Sequence, residues 1–171
     1  MAGYVQGVYA CKYPEKYKGD AKQIVYRSSY ELKAFNMIEC DPNVIAWNSE
    51  EIIIPYMLPG ETKIRRYFMD IWMKVNTPEG IKEMLIEIKP KCKTELNINP
   101  NSSKKAKLQI LLEWNMNQSK WKAARQYCKN RGWVFLLWTE QQLGIGTFDR
   151  QKPIKRPPAL KGVQRHQRLK K

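Results

Sequence analysis

The sequence predicts an α/β (α+β) domain with a small mixed sheet. Three observations carry that reading. A capped helix opens the body of the chain, three strand-like segments follow between residues 50 and 91, and a helical stretch then leads into the short apolar run "WVFLLW" at 133–138.

Each element has its own signal. Residues 1–20 are polar and Tyr-rich without clear periodicity, which predicts an extended N-terminal arm. In "YRSSYELKAFNMIECDP", Ser28 followed three residues later by Glu31 forms a capping box, and Pro42 marks the stop. Glu31, Phe35 and Ile38 recur at helical spacing, which sets Glu31 on the inward side of that helix. "EEIIIPYML" (50–58) reads as a strand, with Pro55 pointing to a strand end or an edge. "RRYFMDIWMKV" (65–75) and "EMLIEIKPK" (83–91) are two further strands, joined through the turn chemistry of "NTPEG", where Pro78 suits the second turn position and Gly80 the fourth. After a polar loop, one helix is predicted from about Ser103 and another from Ser119 to Arg131, with Gly132 as its stop. In the second, Trp121, Ala124 and Cys128 share a face and Lys120, Lys122 and Lys129 point elsewhere. "WVFLLW" is short, apolar and continuous, so it reads as a buried strand. From Arg150 onward the chain holds nine Lys or Arg, four Pro or Gly and no acid, so 150–171 is expected to be a basic tail, flexible or draped on a partner. The organisation is therefore 1–20 arm, 21–149 domain and 150–171 tail, with no internal repeat.

A chain of 171 residues, 43% apolar with six Trp and nine Tyr, suffices for one well-cored domain and is short for two. Net charge is +15 and the pI is about 9.7, of which the tail supplies +9. This favours a polyanionic partner. No apolar stretch approaches the roughly 20 residues of a spanning helix, and "MAGYVQGVYACKYPEK" lacks a signal-peptide core, so a cytosolic protein that meets nucleic acid and no membrane is expected. Cys11, Cys40, Cys92 and Cys128 are scattered, far from zinc-ligand spacing, and read as reduced structural cysteines. His166, the single histidine, lies in the tail. His-based metal nucleases and Ser-His-Asp hydrolases are thereby disfavoured, and chemistry falls to carboxylates and lysines.

Asp70, Glu87 and Lys89 interrupt the two central apolar strands. If Thr77 faces Gly80 across the turn, Ile71 opposes Ile86, Met73 opposes Met84, Met69 opposes Ile88 and Lys74 opposes Glu83, while Asp70 falls opposite Glu87. One face is then uniformly Met, Ile and Val; the other carries Phe68, Asp70, Trp72, Leu85, Glu87 and Lys89. Two opposed carboxylates repel unless one is protonated, bases compensate or a cation sits between them. A divalent ion on Asp70 and Glu87, with the Lys89 ammonium alongside, suits phosphodiester hydrolysis. Ordinary surface ion pairs account for the same pattern, and helix capping alone accounts for Glu31.

"YRSSYE", "IPY", "RRYFMDIW", "IEIKPK" and "WKAARQYCKNRGWVFLLWTEQQL", in this order, resemble the head-completion proteins of T-even-type tailed bacteriophages. That group is similar to the endonuclease domain of TnsA transposition proteins, within the PD-(D/E)xK nuclease superfamily. The resemblance covers roughly residues 15–145. It implies a restriction-endonuclease-like αβββαβ core, Glu31 as the helix acid, Asp70 and Glu87 as ligands of Mg²⁺ (or Mn²⁺), and Lys89 as the catalytic lysine. Met69 stands where the superfamily often has proline. The implied role is a late step of virion assembly: in the host cytoplasm and then the head–tail connector, at the portal vertex, trimming or releasing the packaged DNA end so that a tail can join. DNA and portal or neck proteins are the implied partners, with no nucleotide cofactor. The alternative is a non-catalytic plug or adaptor that binds DNA and portal, and a third reading is a cellular repair or transposition nuclease.

Overall fold

The computed structural model describes residues 5–145; the tail expected over 150–171 lies outside them. The element order is β1 (Gly7–Val8), β2 (Val25–Tyr26), α1 (Ser29–Cys40), β3 (Val44–Asn48), β4 (Ile53–Tyr56), β5 (Arg65–Phe68), β6 (Ile71–Thr77), β7 (Gly80–Ile88), α2 (Lys104–Lys129) and β8 (Val134–Trp138), with short 3₁₀ turns at Pro14–Lys16 and Lys91–Lys93. Four strands form the central sheet in the order β3-β6-β7-β8. β7 and β8 run parallel and the other pairs antiparallel, so the sheet is mixed, as expected. The parallel pair requires a long crossover, which α2 provides.

The β6–β7 hairpin has the register that the turn chemistry predicts. Thr77 pairs with Gly80, Lys74 with Glu83, Met73 with Met84 and Ile71 with Ile86. Gly80 has φ +112°, a backbone conformation that only glycine adopts without strain, and the Thr77 hydroxyl donates to the Gly80 carbonyl at 2.7 Å. One face of the sheet (Ile71, Met73, Val75, Ile86, Ile88) packs with Phe35 and Ile38 of α1, with Trp47, and with Tyr9 and Tyr17 from the N-terminal segment. The expected arm thus lends two buried tyrosines to the core. The other face, with Leu85 and Trp72, meets Ala124 and Cys128 of α2 and the small β4–β5 ladder.

Several expectations are corrected. The segment 65–75 is two strands, because Met69 leaves the central sheet: its N–H donates to Ile52 O at 2.9 Å and its carbonyl accepts from Glu50 N at 3.1 Å. Its backbone thereby extends the β4–β5 ladder, and Met69 packs with Tyr67 on the α2 side and not opposite Ile88. The two helices expected after residue 103 are one helix of 26 residues. Its polar middle is accommodated without a break, Ser119 Oγ donating back to Asn115 O at 3.0 Å. Its end is as expected: Gly132 sits at φ +68°, with Gly132 N donating to Lys129 O and Trp133 N to Cys128 O. β8 is a half-buried edge strand, not a buried one. β3 has no counterpart in the expected elements, since a register shift between Val44 and Ala46 breaks its two-residue alternation.

Candidate active site

Asp70 occupies the break between β5 and β6. Because the Met69 backbone is taken by Glu50 and Ile52, the Ile88 N–H on the facing strand does not pair with it, and Asp70 Oδ2 accepts that N–H at 2.7 Å. This bond draws the carboxyl group across toward β7, beside Glu87. Asp70 retains some surface, yet its pKa lies well above the usual carboxylate range, first through loss of water and second through the charge of Glu87. The observed register ends at Ile71 with Ile86, and Asp70 and Glu87 are the next residue on each side of that pair.

Glu87 is almost wholly buried, at 2% exposure. Each of its oxygens has a donor. Oε1 pairs with Lys89 Nζ at 3.0 Å, and Oε2 accepts the Tyr67 hydroxyl at 2.6 Å. Burial pulls the Lys89 pKa down, but Glu87 and then Asp70 outweigh it, so Lys89 is held as an ammonium. Tyr67 titrates far above its ordinary range, through burial and then the Glu87 charge, so it stays a neutral donor.

Glu31 lies at the N-terminus of α1. Ser28 Oγ accepts from Glu31 N at 3.1 Å, while the Glu31 carboxylate accepts from Arg27 N and Ser28 Oγ, both at 2.8 Å. The Ser28 half of the capping box is formed, while the Glu31 carboxylate reaches one residue further back, to the Arg27 N–H in place of the Ser28 N–H. Its charge also reaches the sheet, raising the pKa of Asp70. The structure joins Glu87 and Lys89 in an ion pair at 3.0 Å, sets Asp70 on the Ile88 N–H within reach of the Glu87 and Lys89 charges, and leaves Glu31 as a more distant acid whose charge also bears on Asp70. Among the described residues no cluster of three or more Asp, Glu, Cys or His forms a ligand set.

The donor set fits Mg²⁺ or Mn²⁺. Two adjacent hard carboxylates, one of them destabilised as an anion by the other, gain from a divalent cation. Mg²⁺ commonly takes only one or two carboxylates and completes its shell with water and phosphate.

Three neighbours escaped the sequence reading. Tyr67 reaches Glu87, whereas the expected strand sets Phe68 on the Asp70 face; with the strand broken at Met69, Phe68 is exposed and the Arg66 guanidinium lies 5.5 Å from its ring centre. Lys120 of α2 sets its ammonium 5.2 Å from the Tyr67 ring centre and 5.9 Å from that of Tyr56. Glu50, at φ +58°, pairs with Arg27 and donates its N–H to the Met69 carbonyl beside Asp70. No periodicity signals any of the three, since each arrives from a different element.

The sequence matches known proteins over most of its length. Residues 41–140 match the family model described as the TnsA-like endonuclease N-terminal domain. Over 141 residues the chain is 41% identical to the head completion nuclease of Enterobacteria phage T4, covering 80% of this chain and 92% of that protein. The matched span contains the β6–β7 hairpin with Asp70, Glu87 and Lys89, and the mixed sheet crossed by α2 is the fold that the family implies. On its sequence and on its architecture, this chain belongs to the TnsA-like endonuclease family.

Proposed function

We propose that this chain is a head-completion nuclease of a tailed bacteriophage, a divalent-metal-dependent DNA endonuclease that acts at the portal vertex once the head is filled. The observation that carries the chemistry is a buried Glu87 paired with the Lys89 ammonium, with the half-buried Asp70 close enough for the Glu87 charge to raise its pKa. The phage role rests on the likeness to the T4 head completion nuclease.

Asp70 and Glu87 would hold Mg²⁺ or Mn²⁺, which when bound polarises a phosphoryl oxygen and makes water more acidic. Lys89, kept charged by Glu87, opposes the negative charge that grows on the phosphoryl group. Asp70 is kept in place by the Ile88 N–H, so its carboxylate does not have to be reoriented as substrate binds. Glu31 adds an acid near Asp70 from the helix terminus. Lys122, Arg125 and Lys129 are exposed on α2. Together with the strongly basic tail they would bear on the DNA backbone or on an acidic portal surface.

The test is cleavage of supercoiled and linear DNA by the purified chain with Mg²⁺ or Mn²⁺. Wild type should cut; Asp70→Asn and Lys89→Ala should not, while still retarding DNA on a gel. A wild-type protein that binds DNA well yet fails to cut it in the presence of every divalent ion tried overturns the nuclease reading. Complementation of a head-completion-defective phage separates it from a plug: infectious particles made with Asp70→Asn would mean that the fold works without its chemistry.

A further inference from the structure

We infer that Tyr67 is the positioning residue of this site, its hydroxyl fixing the Glu87 carboxylate in the orientation that lets Glu87 share a divalent cation with Asp70. The inference rests on the metal-dependent reading above and assigns a role to a residue outside the acid-acid-lysine set.

A glutamate side chain has three torsions, and one ion pair leaves it free to swing. Glu87 is held at both oxygens, by Lys89 on Oε1 at 3.0 Å and by Tyr67 on Oε2 at 2.6 Å. The two donors differ in kind. A second ammonium on Oε2 would compete with a cation for the same negative charge; a neutral phenol orients the oxygen and adds no positive charge.

Tyr67 is itself braced. It is 3% exposed, its ring meets Tyr56 edge to face with centroids 6.3 Å apart, and the Lys120 ammonium lies over it at 5.2 Å. Strand β4 and helix α2 therefore converge on one ring of strand β5, whose hydroxyl is directed at Glu87. A tyrosine whose work was only to fill this space would be matched by phenylalanine, which keeps every one of these ring contacts.

The experiment is a Mn²⁺ titration of the full-length, DNA-free protein by calorimetry, on wild type, Tyr67→Phe and Asp70→Asn. It is paired with the Mg²⁺ concentration giving half-maximal cleavage. Tyr67→Phe is expected to weaken Mn²⁺ binding by about 10–100-fold and to raise the half-activating Mg²⁺ similarly. Raising Mg²⁺ should recover most of the lost rate of the folded variant, which should melt somewhat lower than wild type without metal because Glu87 Oε2 loses its donor. Unchanged Mn²⁺ affinity in a folded Tyr67→Phe overturns the inference. If that variant does not fold, Lys120→Met takes its place, with an expected loss of roughly 2–5-fold in Mn²⁺ affinity, the worth of a partly exposed cation–π contact; no loss overturns it equally. Asp70→Asn separates the two levels. If it binds Mn²⁺ as wild type does, the metal reading itself fails; if it does not bind while Tyr67→Phe matches wild type, only the role of Tyr67 falls.

Discussion

Glu39 and the Asp70–Glu87 pair are both acids sunk in the same small domain, on opposite faces of its central sheet, and they are treated in opposite ways. Glu39, in the last turn of α1, has no exposed surface. Its carboxylate accepts from the Tyr9 hydroxyl, the Cys11 thiol at 3.0 Å, Lys12 N at 2.6 Å and Tyr13 N at 2.9 Å. Burial alone would raise its pKa, yet those donors bring it below the usual value. Asp70 has a single backbone donor and another acid beside it, and its pKa goes up. The first acid is saturated with donors and pins the N-terminal segment to the core. The second, Asp70, has one donor against an acid neighbour and loss of water, so its anion is disfavoured although Lys89 partly offsets the repulsion.

The contrast breaks most visibly in activity. Asp70→Asn should lower DNA cleavage by roughly 10³-fold or more, several kcal/mol of transition-state stabilisation, in a gel assay with Mg²⁺. Glu39→Ala should leave the chemistry of the folded fraction intact and act on the fold. Stranding the buried Tyr9 hydroxyl and its neighbours should cost on the order of 3 kcal/mol in a urea melt. If Glu39→Ala were neutral to stability, the two acids would not differ as described.

The pH dependence sharpens the same point, because the signs are opposite. Glu39 is lowered in the folded protein, so its stabilisation is present above its ordinary pKa and is lost as pH falls through the lowered value. Asp70 is raised, so between its ordinary and its folded value the folded state binds more protons than the unfolded chain. Stability from Asp70 therefore declines as pH rises through that window. Melting temperatures without metal, taken from about pH 3 to pH 8, should show that Glu39→Gln flattens the acid limb. Asp70→Asn should remove the decline with rising pH and melt higher than wild type near neutrality.

Glu31 stands between the two classes, and smaller effects distinguish its roles. Glu31→Gln keeps a side-chain oxygen for the Arg27 N–H, so the fold should be unmoved, while loss of the charge that bears on Asp70 should reduce cleavage by about tenfold. Ser28→Ala should do the reverse, destabilising by about 1 kcal/mol in a thermal melt with little change in rate. If Glu31→Gln cut DNA at the wild-type rate, Glu31 would be a cap and nothing more.

Much of this was legible in one dimension. Ser28 and Glu31 specify the start of α1, Gly132 the end of α2, and Thr77 with Gly80 a two-residue turn. Each signal is local, set by backbone geometry that the residue type alone decides. Once the turn is fixed, counting gives the pairs observed as far as Ile71 with Ile86, and extending the count by one residue is what proposes Asp70 and Glu87 as partners. What failed was whatever depended on a distant backbone. Nothing in "RRYFMDIWMKV" shows that Met69 pairs with Glu50 and Ile52, and so the expected single strand missed the break that releases the Ile88 N–H to Asp70.

The sequence by itself thus determined a capped helix, a hairpin of known register and an acid pair with a lysine at its edge, because these rest on neighbours within a few residues or across one tight turn. Only the tertiary structure decided that Tyr67 and not Phe68 faces Glu87, that Lys120 reaches over from α2, and that Glu39 is a structural acid. Hydrogen bonds and burial are made between segments far apart in the chain, and whether a carboxylate is saturated or left wanting depends on who arrives there.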